Sequence, residues 1–149
     1  MSRRVNPVTY IQALPAASAS QAMLAAAVRR AEQLGVRVNI AVVDGGGNLA
    51  GFIRMPGSFL SSIEMAIDKA YTAASFGMST RGFGDLLETA SRPVRDGMLR
   101  RPRLSEVPGG APIMVDDQML GAIGVSGASD EQDEDIATAA LTALEGLTA

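Results

Sequence analysis

The stretch from residue 38 to residue 54 constrains the fold more than any other part of the chain. Two runs rich in Val and Ile, 38–44 and 48–54, flank a turn in which Asp44 is followed by three glycines, 45–47. Glycine and aspartate supply the positive φ angles that a tight reversal of the backbone needs. The pattern therefore predicts a β-hairpin.

The segment behind this hairpin, residues 61–76, has the periodicity of an amphipathic helix. Ser61 and Glu64 have the spacing of a capping box at its start. One stripe of the helix is apolar and is predicted to lie on the sheet: Ile63, Ala66, Ile67, Ala70 and Ala74. A second stripe sets a cation among mainly apolar side chains: Met65, Lys69, Thr72 and Phe76. This second stripe is a candidate wall of a binding site.

Two further helices are predicted around this central unit. The first begins at residue 18 or 20 and runs to residue 34, and Gly35 is placed to end it in a left-handed conformation. The other is short and runs from residue 79 or 80 to residue 88. The element order up to this point is a helix, a hairpin, a long helix and a short helix.

The second half of the chain is predicted to begin with a connection and a second hairpin. Prolines and arginines alternate through residues 91–108, which predicts a long connection with a short strand near residues 98–100. Apolar runs at 111–115 and 119–125 predict the two strands of the hairpin. Glycines in a strand mark places where another backbone, a helix or a ligand approaches closely, and this run contains or adjoins Gly121, Gly124 and Gly127.

The last predicted helix starts with a capping-box pair, Ser129 and Gln132. The acidic run 130–135 suits a helix amino terminus and lacks the spacing of a calcium-binding loop, so we predict no metal site. A chain of 149 residues is long enough for a single domain. We expect this domain to span 18–149 and to follow an arm, 1–17, that is either disordered or packed on a neighbouring subunit.

The charge balance excludes several partners. The formal net charge is -3, and the basic cluster at 92–103 is short and interrupted by prolines, which argues against a nucleic-acid partner or an anionic membrane surface. No run of apolar residues approaches transmembrane length. Residues 5–14 are too polar for the apolar core of a signal peptide, so we expect a cytoplasmic protein.

The chain contains neither cysteine nor histidine. Their absence removes disulfide bonds, thiolate chemistry, the usual zinc sites and imidazole general bases. The remaining candidates for chemistry are carboxylates, amines, phenols, hydroxyls and thioethers. Most of the methionines are expected to fill gaps in the core rather than to bind metal.

Four separated blocks of this sequence resemble the GlcG/HbpS family, which includes the carboxyl-terminal domain of PduO. The blocks are 42–47, 62–73, 109–113 and 121–127, the last followed by Gln132 and Asp133. The resemblance implies an α/β fold of the α+β type, profilin-like, with a central antiparallel sheet of about five strands and helices on its faces. It also implies assembly into homo-oligomers, often octamers, and an association of some members with haem or corrinoid ligands.

The resemblance makes haem a candidate cofactor, but this chain departs from the family at one informative position. Many relatives have a histidine after the glycine turn, where this chain has Asn48. Haem iron would therefore need another axial donor. The residues that carry suitable atoms are Met55, Met65, Met78, Tyr71 and Thr72.

We expect the functional site where the ends of the first hairpin, Asp44 and Arg54, meet the helix near Lys69 and Tyr71. Lys69 is either a surface lysine paired with a nearby carboxylate or an amine in a pocket that binds an acid or transfers a proton. Tyr71 is either a core aromatic whose hydroxyl bonds to the backbone or a hydrogen-bond donor to a ligand.

The other candidate residues also have two interpretations each. Asp44 either caps the glycine turn or faces Lys69 or Arg54 across the hairpin. Arg54 either extends towards solvent or grips an acidic ligand with both nitrogens of its guanidinium. Gly109 and Gly110 either permit a bend or present backbone N–H groups to an anion.

Two hypotheses about function remain. The first is an oligomeric protein that binds a small ligand, haem-like or corrinoid-like, and uses these residues: Arg54, Met65, Thr72, Phe76, Gly109 and Gly110. The second is a cofactor-independent enzyme for a small organic acid or carbonyl compound. It would use Lys69 and Asp44 as acid–base groups, Arg54 as an anion clamp and Tyr71 as a donor.

Overall fold

A computed structural model describes residues 2–148 of the protein. Met1 and Ala149, the outer ends of the predicted arm and domain, lie outside the described residues. The elements in chain order are β1 Ser2–Asn6, β2 Thr9–Gln12, α1 Ala17–Leu34, β3 Asn39–Asp44, β4 Leu49–Arg54, α2 Ser62–Phe76, α3 Thr80–Thr89, α4 Arg92–Leu99, β5 Gly110–Val115, β6 Gln118–Ser126 and α5 Asp130–Thr148. None of the helices within this range is long and apolar enough to cross a membrane.

The central sheet has four antiparallel strands in the order β4-β3-β6-β5. Both predicted hairpins are present, as β3–β4 and β5–β6, and their inner strands pair with each other. The predicted α+β class, with an antiparallel sheet covered by helices, is confirmed, and the sheet of about five strands has four. β1 and β2 form a separate two-stranded sheet.

The central strand β3 is buried on both faces because helices cover both sides of the sheet. Successive strand residues point to opposite faces. Ile40 and Val42 pack in the cluster that includes α1 and α5, whereas Ala41 and Val43 pack in the cluster that includes α2. The result is three layers, with α1 and α5 on one face of the sheet and α2 on the other.

Helix α2 lies close to the sheet because the contact consists of small residues. A Cβ atom on Gly124 of β6 would collide with the backbone of Ala66 and Ala70 in α2. This confirms the prediction that the glycines of this strand mark a close approach of another element. The position of α2 relative to β6 fixes where the candidate site residues of α2 point.

The start of α3 is capped by a serine, and one of the two predicted capping boxes is present. Ser79 accepts a hydrogen bond from the Gly82 N–H at 3.0 Å at the start of α3. At the start of α5, the Ser129 hydroxyl and the Gln132 side chain each accept the other residue's backbone N–H at 3.2 Å. The capping box at Ser61 is wrong, because Ser61 has helical backbone angles and its side chain makes no cap hydrogen bond.

The prediction for residues 91–108 is wrong in one respect, because residues 92–99 form helix α4 and no strand is formed near residues 98–100. The prolines of this segment contributed to the prediction of a connection, but Pro93 lies in the first turn of α4, where its missing N–H leaves no hydrogen bond unmade. An ion pair between Arg92 and Asp96, with 3.1 Å between Nη1 and Oδ2, supports the same helix.

Residues 2–12 of the predicted amino-terminal arm form a hairpin. β1 and β2 are antiparallel, with Arg3 opposite Ile11 and Arg4 opposite Tyr10. The residues of this hairpin are exposed at positions 3–12. Its link to the rest of the chain is at its end, where Gln12 lies against Gly45 of the β3–β4 turn.

Candidate functional site

Lys69 and Tyr71 are both on α2 but face different parts of the protein. Residues two apart on an α-helix point roughly 200° apart, so the two side chains cannot line one pocket. Lys69 is turned inward, towards β6 and α5, and Tyr71 is turned towards the β3–β4 turn. The single site predicted from the sequence is therefore divided into two.

Lys69 lies in the interior of the protein, where it is only 1% exposed. Its Nζ donates to the backbone carbonyl of Val125 at 2.8 Å and to Oδ2 of Asp133 at 3.1 Å. The interpretation of Lys69 as a surface lysine is therefore wrong. The lysine instead ties α2 to the end of β6 and to the first turns of α5.

Asp133 is the carboxylate that balances this buried amine. Burial raises the pKa of Asp133 above its ordinary value, while the charge and hydrogen bond of Lys69 and the N–H of Ala128 lower it in opposition. The Ala128 N–H donates to Oδ1 at 3.0 Å, so each carboxylate oxygen accepts a hydrogen bond. This arrangement compensates two charges that would otherwise be costly to bury.

Gly109 and Gly110 permit this packing. Gly109 has a φ of 126°, and a Cβ on it would lie 2.5 Å from the Val125 carbonyl oxygen and 3.0 Å from Lys69 Nζ. The Gly110 N–H donates to Thr80 Oγ1 at 3.0 Å, so it already has a partner. The two glycines thus make room for the lysine and its hydrogen-bond acceptors.

A shallow groove of about 190 Å³ lies over the pair and is named here the Lys69 groove. Its floor contains Lys69 and Asp133, and its rim includes Phe59 and Met65. Met65 is 38% exposed there. The predicted proximity of Met65 to Lys69 is present, although the amine itself is almost completely covered.

Asp44 and Arg54 make local hydrogen bonds. Asp44 Oδ1 accepts the N–H groups of Gly46 at 2.9 Å and of Asn48 at 3.0 Å, which is the turn-capping arrangement. The Asn48 amide also donates to Asp44 at 3.2 Å. Arg54 donates to the Ser58 carbonyl at 3.0 Å. Neither Asp44 nor Arg54 forms an ion pair within residues 2–148.

A larger cavity, of about 390 Å³, opens on the other side of α2 and is named here the Tyr71 pocket. It lies between the carboxyl-terminal half of α2 and the segment that follows α4. Its walls are mainly apolar and include two arginines: Tyr71, Ser75, Phe76, Met98, Arg101, Pro102, Arg103 and Leu104. Phe76 is held in place by stacking on the buried Phe83, with 4.6 Å between ring centroids.

Two contacts fix the ring of Tyr71 in place. The Arg103 guanidinium carbon lies 3.7 Å from the centroid of the ring, a cation–π contact. The ring also covers Gly47 of the β3–β4 turn, where an added Cβ would lie 2.8 Å from the ring. Within residues 2–148 no protein group hydrogen-bonds to the hydroxyl of this half-buried tyrosine. The hydroxyl is therefore available to a ligand.

Thr72 and Asp68 shape the segment that carries Arg103. Thr72 Oγ1 accepts the Ser105 N–H at 2.9 Å and lies 2.8 Å from the Asp68 carbonyl, to which it donates. Burial raises the pKa of the Asp68 carboxyl, and the nearby Arg103 charge lowers it in opposition. Thr72 thus fastens the 103–105 segment to α2 rather than lining the pocket.

Several residues of the two sites were not predicted. Asp133 was predicted only as part of the acidic run at the start of the last helix. Its spacing nevertheless indicates that it faces the core, because it lies three, four and seven residues before the buried Ile136, Ala137 and Ala140, on the same helix face. Met98 was assigned to a short strand, and Arg101 and Arg103 to a long connection. No periodic pattern in the sequence predicts that these side chains lie near Tyr71.

The sequence of this chain is similar to a known protein family. The profile of the family described as "Haem degrading protein HbpS-like" matches residues 16–142. This chain belongs to the HbpS-like family. The resemblance to the GlcG/HbpS family is thereby confirmed. A Citrobacter freundii relative, an uncharacterised 15.0 kDa protein encoded between dhaT and dhaS, is 31% identical over 130 residues, which are 87% of this chain and 92% of that protein.

Solved structures of HbpS-like proteins share this fold. The crystal structure of Klebsiella pneumoniae protein ORFY matches with a TM-score of 0.85 and 30% identity, covering 96% of this chain and 98% of that one. The crystal structure of a PduOC–haem complex matches with a TM-score of 0.80 and 32% identity, covering 87% of this chain and 94% of that one. At least one protein similar to this chain therefore binds haem.

Proposed function

We propose that this member of the HbpS-like family binds a flat, largely apolar ligand with carboxylate groups, a tetrapyrrole such as haem, in the Tyr71 pocket. The observation that carries the proposal is that the half-buried Tyr71 lines a cavity of about 390 Å³ while its hydroxyl has no protein partner within residues 2–148. The haem complex of PduOC supports the same class of ligand. A corrinoid is the related alternative within this class.

The lining of the pocket suits such a ligand. Phe76, Met98 and Leu104 offer apolar surface for a macrocycle, and the volume lies within the range of about 300–1,000 Å³ that is common for small-molecule sites. Arg101 and Arg103 stand beside this surface, and a guanidinium binds a carboxylate through two parallel hydrogen bonds. This combination of apolar wall and cationic rim is what an amphiphilic acid requires.

The pocket also contains donors that suit haem iron in a chain without histidine. A tyrosine phenol and a methionine thioether both serve as axial ligands in haem proteins. Tyr71 and Met98 carry these groups and both line the pocket. Met65, which the sequence also offered as a donor, lies in the Lys69 groove instead. Bound haem would supply a redox-active iron, and the residues of this chain would bind and orient it.

A haemin titration followed by absorbance tests the proposal. We expect a saturable Soret change with one haemin per chain, weakened about tenfold in Arg103→Gln because a charged hydrogen bond to the ligand is lost. Arg100→Gln is the matched control, since Arg100 does not line the pocket. A non-saturable response, or equal losses in the two variants, would contradict the proposal.

Substitution of two methionines distinguishes binding in the Tyr71 pocket from binding in the Lys69 groove. Met98→Leu preserves the size of the side chain and removes only the thioether, so we expect a change in the Soret spectrum of the haemin complex. Met65→Leu is the matched control in the other site and should leave the spectrum unchanged. A spectrum that responds to Met65→Leu alone would move the ligand to the Lys69 groove.

A second candidate function is acid–base catalysis on a small organic acid or carbonyl compound. The observation that favours it is the buried Lys69–Asp133 pair beneath a groove of about 190 Å³. Asp133 would take the role first given to Asp44, whose oxygens are engaged in the turn. Turnover of such a compound that is lost in Lys69→Met/Asp133→Asn, with the fold retained, would support this candidate. Unchanged turnover in that double variant would exclude it.

A further inference from the structure

The amino-terminal hairpin, β1–β2, presents an apolar and cationic face to solvent. Residues directly opposite each other in an antiparallel pair share a face, so Arg3 and Ile11 lie on one side, and Gln12, which contacts Gly45, lies on the other; Val5 lies at the β-bulge between Arg4 and Asn6. Val5 and Ile11 are 49% and 54% exposed. A two-stranded hairpin with no further packing is at best marginally stable in water. We therefore expect another protein surface to cover the outward face of the hairpin.

The charge of the hairpin indicates what kind of surface could cover it. Residues 2–12 contain two arginines and no acidic residue, in a chain whose net charge is -3. Neither Arg3 nor Arg4 has a carboxylate partner within residues 2–148. The hairpin is thus a basic, apolar element whose complement is an apolar surface with an acidic rim.

A surface of that kind exists elsewhere on the same chain. A groove of about 370 Å³, named here the α5 groove, lies between β5 and the carboxyl-terminal half of α5. Met114, which is 52% exposed, and Leu141 provide apolar floor. Asp116 and Glu145 provide two carboxylates at the same groove.

We propose that the outward face of the hairpin docks into the α5 groove of a second copy of this chain, with Arg3 facing Asp116 and Glu145. The hairpin of the same chain leaves Val5 and Ile11 exposed, so it does not fill its own groove. Docking occurs through side chains rather than by addition of a strand, because Pro112 in the edge strand β5 lacks the N–H that a new neighbour would need. The hairpin and the groove are different surfaces. The contact is therefore formed twice, reciprocally, in a dimer, or head to tail around a closed ring.

Disulfide trapping tests the contact directly, because the chain has no cysteine of its own. Ile11→Cys and Met114→Cys proteins are prepared separately, mixed and mildly oxidised, and only a contact between copies joins them. Leu86→Cys is the control acceptor, since Leu86 is 49% exposed and lies outside the groove. Docking raises the local concentration of the two thiols, so we expect about tenfold more heterodisulfide with Met114→Cys than with Leu86→Cys. Equal yields would overturn the proposal.

A charge exchange gives an independent readout by sedimentation. Arg3→Glu brings like charges together at the groove, so self-association should weaken about tenfold or more. Glu145→Arg should weaken it similarly, and the double variant should recover most of the loss. Arg3 and Glu145 are both exposed, so all three proteins should keep the wild-type circular dichroism. Self-association that is unchanged in Arg3→Glu, or not recovered in the double variant, would overturn the proposal.

Discussion

Lys69 and Asp133, 64 residues apart in the chain, form a buried ion pair with 3.1 Å between Nζ and Oδ2. The pair connects α2, which covers one face of the sheet, to the start of α5, which covers the other. The Val125 carbonyl at the end of β6 completes the connection. One amine thus connects three elements, α2, β6 and α5.

Lys69→Met should destabilise the fold. The substitution leaves Asp133 buried without its counter-charge, and loss of one partner of a buried pair costs about 3–5 kcal/mol in the free energy of unfolding. Chemical denaturation followed by circular dichroism measures the change. Asp133→Asn in the same protein removes the orphaned charge and keeps an acceptor for the Ala128 N–H, so it should recover much of the loss. A single variant as stable as wild type would contradict this account of the pair.

Gly109→Ala should also be destabilising. The residue has a φ of 126°, and the new methyl group would meet the Val125 carbonyl and the Lys69 amine. A strained backbone position of this kind costs about 1–3 kcal/mol. Gly97→Ala is the control, because nothing lies within 4 Å of a Cβ there and α4 should gain about 0.5–1 kcal/mol from the better helix former. Denaturation midpoints that shift in the same direction in the two variants would argue against the close packing at Gly109.

The ion pair between Arg30 and Asp135 predicts a pH dependence. Both guanidinium–carboxylate contacts are 2.8 Å, and the hydrogen bond from Arg30 holds the pKa of Asp135 below its ordinary value. A depressed folded-state pKa contributes stability above the ordinary carboxyl pKa, and this stability is lost as the pH falls through the folded-state value. Asp135→Asn should therefore be less stable than wild type at neutral pH, with the difference vanishing in acid.

Thermal unfolding at pH values between 7 and about 2 measures this difference, since carboxyl groups titrate in the lower part of that range. Asp85→Asn is the control, because Asp85 makes no ion pair within residues 2–148. The pair is partly exposed, so added salt should reduce the effect. A difference that stays constant across the range would show that the pair does not act through the charge of Asp135.

The fold was largely predictable because its signals are local. The turn at Asp44, the C-terminal glycine of α1 at Gly35 and the reciprocal cap of Ser129 and Gln132 each act within a few residues. Helix α4 was missed because the alternating prolines and arginines were interpreted as a connection, although a proline is compatible with the first turn of a helix. Ser61 was overestimated as a cap because spacing alone does not fix the backbone angles of the residue.

The sites were less predictable because they depend on contacts between distant segments. The sequence identified Lys69 and Tyr71, but grouping them in one site ignored the angle between residues two apart on a helix. Asp133 pairs with Lys69 only because α5 crosses the end of β6. Arg103 reaches Tyr71 only because Thr72 holds the backbone of the 103–105 segment. The helical spacing of Asp133 indicates that it faces the core, but no local pattern identifies the partner in either contact.

The two tyrosines of the chain offer the most direct test of the proposed ligand site. Tyr71→Phe removes the unbonded hydroxyl and keeps the ring on Gly47, whereas Tyr10→Phe makes the same change on the exposed amino-terminal hairpin. In parallel haemin titrations, Tyr71→Phe should weaken binding about tenfold or more and alter the Soret band, since a ligand contact is lost. Tyr10→Phe should match wild type. Equal affinities and spectra for all three proteins would contradict the assignment of the Tyr71 pocket as the ligand site.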